Sequence, residues 1–215
     1  MGIKKDDPDF WKAAEFLDTK GPHHLHEIPE IDAEKYLAYQ AYSAEHRIPR
    51  MTEVTDITSV VHEYLGIVDK VIDGDEQLIT AGKNFSENRR KQIEDCLMYE
   101  NSNMRIFYSP EGIFCSAAYY SKEIGGIIPA TITLSGKSNS ILLAMEDGGE
   151  TVSAREMVQE LWDEAGGHNG IAGSPRGQEM TKKDLFILAQ RVNNMINKVK
   201  GRKIPFEMKE RLRGE

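Results

Sequence analysis

The strongest constraint on the fold lies between Ser153 and Arg176, where an amphipathic run gives way to Asp163-Glu164-Ala165-Gly166-Gly167-His168-Asn169-Gly170-Ile171-Ala172-Gly173-Ser174-Pro175-Arg176. Met157, Val158, Leu161, Trp162 and Ala165 recur at helical spacing, and Ser153-x-x-Glu156 reads as a capping box. The spacing predicts a helix over 153–165 that stops at Gly166-Gly167, because glycine enters the left-handed conformation at little cost. Four glycines within eight residues keep side chains away, so a ligand can reach backbone N–H groups. His168 and Arg176 are the long polar side chains nearby that suit a phosphate or a base edge. The plainer alternative is a helix cap followed by a surface loop.

The flanking pattern is helical before residue 98 and mixed after it. Residues 8–20 suit a helix with Trp11, Ala14 and Leu17 inward, and Gly21 to Pro29 a loop. Asp32 starts a helix to Glu45 with Ala33, Tyr36, Leu37, Ala41 and Ala44 on one face. Thr55 or Asp56 starts another, with Ile57, Val60, Val61, Tyr64, Leu65, Val68 and Ile72 buried and Gly74 at its end. A segment around Leu78 and Ile79 follows, then a charged helix from Ser86 to Met98 anchored by Ile93, Leu97 and Met98. Strands are expected at Met104–Tyr108 and Ile113–Ser116 around the turn Ser109-Pro110-Glu111-Gly112, and at Ala130–Leu134 and Ile141–Met145 around Ser135-Gly136-Lys137-Ser138. Ala117–Ile124 suits a short helix. Thr181-x-x-Asp184 opens a last helix to Val199 with Leu185, Leu188, Val192, Met195, Ile196 and Val199 on its stripe. The fold class is α/β (α+β). The domains read as a helical region 1–98, a small mixed-sheet domain 99–200 and a basic tail 201–215.

The chain has 215 residues, 40% hydrophobic and 29% charged, and a net charge of −8. That charge opposes a broad non-specific grip on nucleic acid, while Lys198, Lys200, Arg202 and Lys203 make one local basic patch. Two cysteines, Cys96 and Cys115, supply no disulfide framework and point to a reducing cytoplasm. No apolar run suits a membrane span or a signal peptide. His23, His24, His26 and Glu27 are types that bind transition metals, but nothing nearby completes a ligand set, so a polar loop is the default. Gly136-Lys137-Ser138 lacks the upstream glycine of a phosphate loop. Ser174 has no base at recognisable spacing, and His168 beside Asp163 and Glu164 reads as a loop histidine before a general base. Of Tyr119 and Tyr120, which could stack on bases, one is expected to face the core.

Ala165-Gly166-Gly167-His168-Asn169-Gly170-Ile171-Ala172-Gly173 resembles the Gly-Gly-Gly-His…Ala-Ala-Gly signature of the DHH-associated domain. That is the C-terminal domain of DHH phosphoesterases: RecJ-type exonucleases, oligoribonucleases, cyclic-dinucleotide hydrolases and some pyrophosphatases. The resemblance covers about residues 78–200, with Val152-Ser153-Ala154-Arg155-Glu156-Met157 as the lead into the loop. It implies that Gly166, Gly167, His168, Asn169, Gly170, Gly173 and Arg176 bind substrate, with no catalytic or metal residue in this chain. Two departures stand out. Ala165 replaces the first glycine. Ala144-Met145-Glu146-Asp147 stands where the family has a Ser-x-Arg-Ser-like turn, so a phosphate would lean on His168, Arg176, Lys137 or backbone N–H groups.

His23-His24 is a false match to the Asp-His-His motif, since Pro22 stands where the aspartate belongs. The expectation is that the metal domain is absent from this polypeptide. Manganese or magnesium enters only if a DHH-domain partner supplies the site. Three readings follow: a binding module for single-stranded nucleic acid or a nucleotide, a subunit of a split phosphodiesterase, or a regulatory protein that has lost its ligand. A homodimer is compatible with each.

Overall fold

The computed structural model describes residues 6–46 and 57–201. The chain divides into two compact units, Met1–Lys91 and Gln92–Glu215. Within the described residues no helix is long and apolar enough to cross a membrane. Thr55, Asp56, Arg202 and Lys203, named above, lie outside the described residues.

The first unit is helical: α1 (Pro8–Lys20), a 3₁₀ helix (Pro22–Glu27), α2 (Glu30–Glu45), α3 (Ile57–Ile72) and most of α4 (Glu76–Asp95). Asp7 fixes its start, because one carboxylate oxygen caps Phe10 N–H (3.1 Å) and the other takes Lys35 Nζ on α2 (2.6 Å). Leu17 and Ala41 are buried as expected, but the rest of each buried face is shifted. Phe10, Ala13 and Leu17 are inward on α1 while Trp11 is 37% exposed, and Ala38, Ala41 and Tyr42 are inward on α2. The loop expected at 21–29 is a 3₁₀ helix in which His24 Nδ1 and Glu27 Oε1 lie 2.6 Å apart. On α3 only Val71 is fully buried, and Ile57 and Val61 are exposed. Ser86 caps nothing. α4 starts ten residues earlier on Asp75, whose carboxylate accepts from Gln77 and Leu78 N–H (3.0 and 3.1 Å). It runs through Leu78 and Ile79 and crosses α2 at Gly82, where an added Cβ would stand 2.5 Å from Ala38 N.

The second unit is a six-stranded sheet with a two-stranded ribbon. The strands are β1 (Leu97–Glu100), β2 (Met104–Ser109), β3 (Tyr120–Ser121), β4 (Gly126–Ile127), β5 (Ala130–Ser135), β6 (Ser140–Met145), β7 (Gly166–Gly167) and β8 (Ile171–Gly173). The sheet order is β1-β2-β5-β6-β8-β7, parallel only at β2–β5, and β3 pairs with β4. The mixed α/β class therefore stands, with several elements changed. Leu97 and Met98 begin β1 rather than end a helix. Ile113–Ser116 is not a strand: Gly112 N–H closes the turn on Ser109 O (3.2 Å), but the chain then leaves the sheet. Ala117–Ile124 is the turn and first strand of the β3–β4 ribbon, not a helix. Tyr119 is buried and Tyr120 exposed.

Strand alternation gives the sheet two faces. Met104, Ile106, Ala130, Ile132, Ile141 and Leu143 form one, packed against α5 (Ala154–Gln159) and α6 (Lys182–Val199). The capping box Thr181/Asp184 opens α6, whose buried stripe includes Asn193 and Asn197 while Val199 is exposed. Both asparagines accept from Asn103 Nδ2, at 3.0 and 2.8 Å, pinning α6 to the β1–β2 turn. The other face carries Arg105, Phe107, Thr131 and Thr133. Arg105, 2% exposed, donates to Glu94, Glu100 and the carbonyls of Ala118 and Tyr120, and so holds the 113–121 segment over that face.

Candidate functional site

The glycine-rich stretch is a β-hairpin, not a helix cap. Ser153 Oγ caps Glu156 N–H (3.3 Å) as expected, but α5 ends at Gln159, and tight turns through Trp162 lead to Ala165. Ala165, which replaces the first glycine of the resembling signature, is 4% exposed within the main core at the point where the chain enters the sheet. Gly166 pairs with Gly173 and Gly167 with Ala172. His168 and Ile171 exchange N–H···O bonds of 2.7 and 3.2 Å, leaving Asn169-Gly170 as a two-residue turn.

Each glycine answers a different need. Gly167 has φ +143°, and a Cβ there would lie 2.5 Å from Ile171 O, whereas a Cβ on Gly166 would meet nothing within 4 Å. Gly170 sits against the turn after β6, where its Cβ would be 2.9 Å from Gly148 O. Asn169 is clamped: its carbonyl accepts Ala154 N–H (2.7 Å) and its side-chain oxygen accepts Ser153 Oγ (3.2 Å). The hairpin tip is thereby tied to the start of α5. Two N–H groups of the imagined cradle, those of His168 and Ile171, are consumed by the hairpin itself.

What projects is His168, which is exposed. Ala172 points into the core, so its neighbours Ile171 and Gly173, and with them His168 and Gly166, belong to the opposite face of the sheet. That is the face of Leu142 and Ala144, the β6 partners of Gly173 and Ile171. Arg176 and Gly173 lie away from the tip, at the base of β8, where they line a cleft. The expected binding residues therefore fall into different places: His168 at the tip, Gly173 and Arg176 at the base, and Gly167 opposite the core-facing Ala172. Lys137 belongs with the second group, its stem 3.3 Å from where a Cβ on Gly112 of that cleft would stand.

Ala144–Asp147 is accounted for locally. Met145 is a core residue whose N–H donates to Gly170 O (2.8 Å). The Asp147 carboxylate accepts the N–H groups of Gly149 and Thr151, both at 2.9 Å, and closes the turn against which the hairpin rests. Burial raises its pKa, but hydrogen bonds from Thr151, Gly149 and Glu150 outweigh that and leave it below the ordinary carboxylate value. Asp147 builds the platform under His168.

Sequence reasoning missed Arg105 and the hydroxyls opposite the core. The second had a readable signal: Ala130-Thr131-Ile132-Thr133-Leu134-Ser135 alternates strictly, announcing a polar second face.

No protein-family model matches the sequence, and no curated protein matches it. Among solved structures the chain resembles a pGpG-specific phosphodiesterase, PggH, from Vibrio cholerae. The TM-score is 0.52 at 11% identity, over 91% of this chain and 70% of that one. The two share a fold. An exopolyphosphatase-related protein from Bacteroides fragilis aligns at TM-score 0.37 and 13% identity, over 86% of this chain and 56% of that one. An uncharacterized protein from Helicobacter pylori G27 aligns at TM-score 0.29 and 13% identity, over 87% and 54%.

Proposed function

We propose that this chain is the substrate-binding part of a DHH-type phosphoesterase, recognising a nucleotide phosphate or the end of a single strand through the hairpin that carries His168. The observation that supports it most is the exposed imidazole on a rigidly clamped tip, in a fold shared with a phosphodiesterase named for pGpG. An imidazole N–H donates to a phosphate oxygen, whose charge strengthens the bond. Holding the tip at three points, by Ala154 N–H, Ser153 Oγ and Met145 N–H, removes most of the ordering cost of placing that donor. Bond cleavage belongs, in this reading, to a metal domain on another polypeptide or another part of a longer one.

Binding of pGpG and of short 5′-phosphorylated oligonucleotides to the purified chain tests it. His168→Ala should weaken the complex about tenfold, the worth of one charge-assisted hydrogen bond. The chain alone with manganese should not turn these compounds over. Equal affinity of the wild type and His168→Ala, with the fold intact, refutes the assignment.

A further inference from the structure

We propose that the cleft at the base of β8 is a binding site for a nucleoside phosphomonoester, separate from the hairpin tip. It lies within the second unit, between the segment 112–116, the ends of β5 and β6, and the connection 173–178. Its volume is about 480 Å³, within the range of small-ligand pockets. Of its lining, only Gly173 and Arg176 are among the residues expected to bind substrate; the hydroxyls opposite the core are not.

Two buried hydroxyls carry the argument. Thr133 and Ser116 line the cleft, the residues are 6% and 4% exposed, and their hydroxyl oxygens, themselves buried, have no hydrogen-bond partner among the described residues. A buried polar atom without a partner is costly, and such groups recur where a ligand completes them. The surrounding hydroxyls are biased toward donation. Ser135 Oγ accepts Ser138 N–H (3.3 Å) and Ser174 Oγ accepts Ile141 N–H (3.1 Å), which leaves their O–H protons for another acceptor.

Charge then selects the ligand. Among the described residues Arg176 is the charged one lining the cleft and no carboxylate lines it, although the protein carries a net charge of −8. A guanidinium with a ring of O–H donors suits phosphate oxygens, which only accept. The remaining wall is apolar, from Ile113 and Leu142, with Phe114 56% exposed at the mouth, and suits the flat face of a base. The cleft reaches the Ser140 end of β6, whereas the hairpin tip rests beside Met145 at its other end. The two sites are therefore separable by mutation, and this inference does not depend on His168.

Isothermal titration of the full chain with GMP, AMP and guanosine tests it. The monophosphates should bind and guanosine should bind at least about tenfold more weakly. Thr133→Val and Arg176→Gln should each weaken GMP about tenfold, while His168→Ala leaves it unchanged within about twofold. Thr133→Val keeps the side-chain shape and removes an unpartnered hydroxyl, so its melting temperature should hold or rise; Ser116→Ala is the second variant. Competition between GMP and a 5′-phosphorylated oligonucleotide would make the strand end the natural occupant, and its absence a free mononucleotide. Absence of GMP binding, or full affinity in a well-folded Thr133→Val, overturns the proposal. Loss of GMP affinity in His168→Ala with Thr133→Val unaffected would overturn it and leave the hairpin reading standing.

Discussion

Replacing Gly149 with alanine tests whether the turn after β6 sets the position of His168. Gly149 has φ +83°, and the added Cβ would stand 2.1 Å from the carbonyl oxygen of Asn169. A carbon and an oxygen approach no closer than about 3.2 Å without a penalty, so turn and hairpin must part by about 1 Å. Asn169 O holds its bond from Ala154 N–H at 2.7 Å, and that separation breaks it, costing about 1 kcal/mol. The left-handed backbone adds roughly 1–2 kcal/mol for a residue with a Cβ. The sum, about 2–3 kcal/mol, lowers Tm by roughly 6–12 °C for a unit of this size. Two control variants isolate the cause. Gly148 has φ +70° with nothing near its Cβ, so Gly148→Ala should show only the backbone share, about 1 kcal/mol. Gly166 has open space and an extended conformation, so Gly166→Ala should be neutral within about 0.5 kcal/mol. Calorimetric melting of the three variants gives the ranking. If Gly149→Ala melts with Gly148→Ala, the hairpin does not rest on this turn, and the account of how His168 is held is wrong.

Three further outcomes follow from the same coordinates. Arg105→Met strands the Glu94 and Glu100 carboxylates and the carbonyls of Ala118 and Tyr120, so urea titration should show a loss of about 3–5 kcal/mol. Asp147 has a folded pKa below its unfolded value near 3.8, so its stabilisation is complete above the unfolded value and disappears as pH falls through the folded one. Asp147→Asn should therefore be less stable at neutral pH and converge with the wild type in acid, as read by melting from pH 7 downward. Thr181→Ala removes the α6 capping box, and denaturant unfolding should register about 1 kcal/mol.

The parts of the fold legible in the sequence are those whose local chemistry and tertiary setting agree. β5 alternates cleanly and is joined to the apolar β6 by a four-residue connection, and α6 opens on the reciprocal Thr181–Asp184 bonds. Where the two disagree, reading by periodicity fails. Met157 to Ala165 does repeat at helical spacing, yet the buried methyl of Ala165 belongs to a strand entry, and one and a half turns of helix suffice to bury Met157 and Val158. Ile113–Ser116 is apolar enough for a strand, but its Cys115 packs with Cys96 onto Phe107, so the segment lies over the sheet rather than in it. Leu97 and Met98 continue a charged helix on paper, while the open edge of β2 recruits them as β1. The Gly-Gly-His stretch forms a hairpin where the spacing predicted the end of a helix. The overlooked clue was the turn-forming pair Asn169-Gly170, although neither residue takes the positive φ of a type I′ turn.

The central claim is that the His168 imidazole meets the phosphate of a nucleotide ligand. Titrating the chain with pGpG while following the histidine ring resonances, with His168 assigned by its alanine variant, tests that most directly. The account predicts a saturable shift of the His168 ring signals on the same curve as overall binding. Saturation with pGpG that leaves the His168 ring signals unmoved would contradict it.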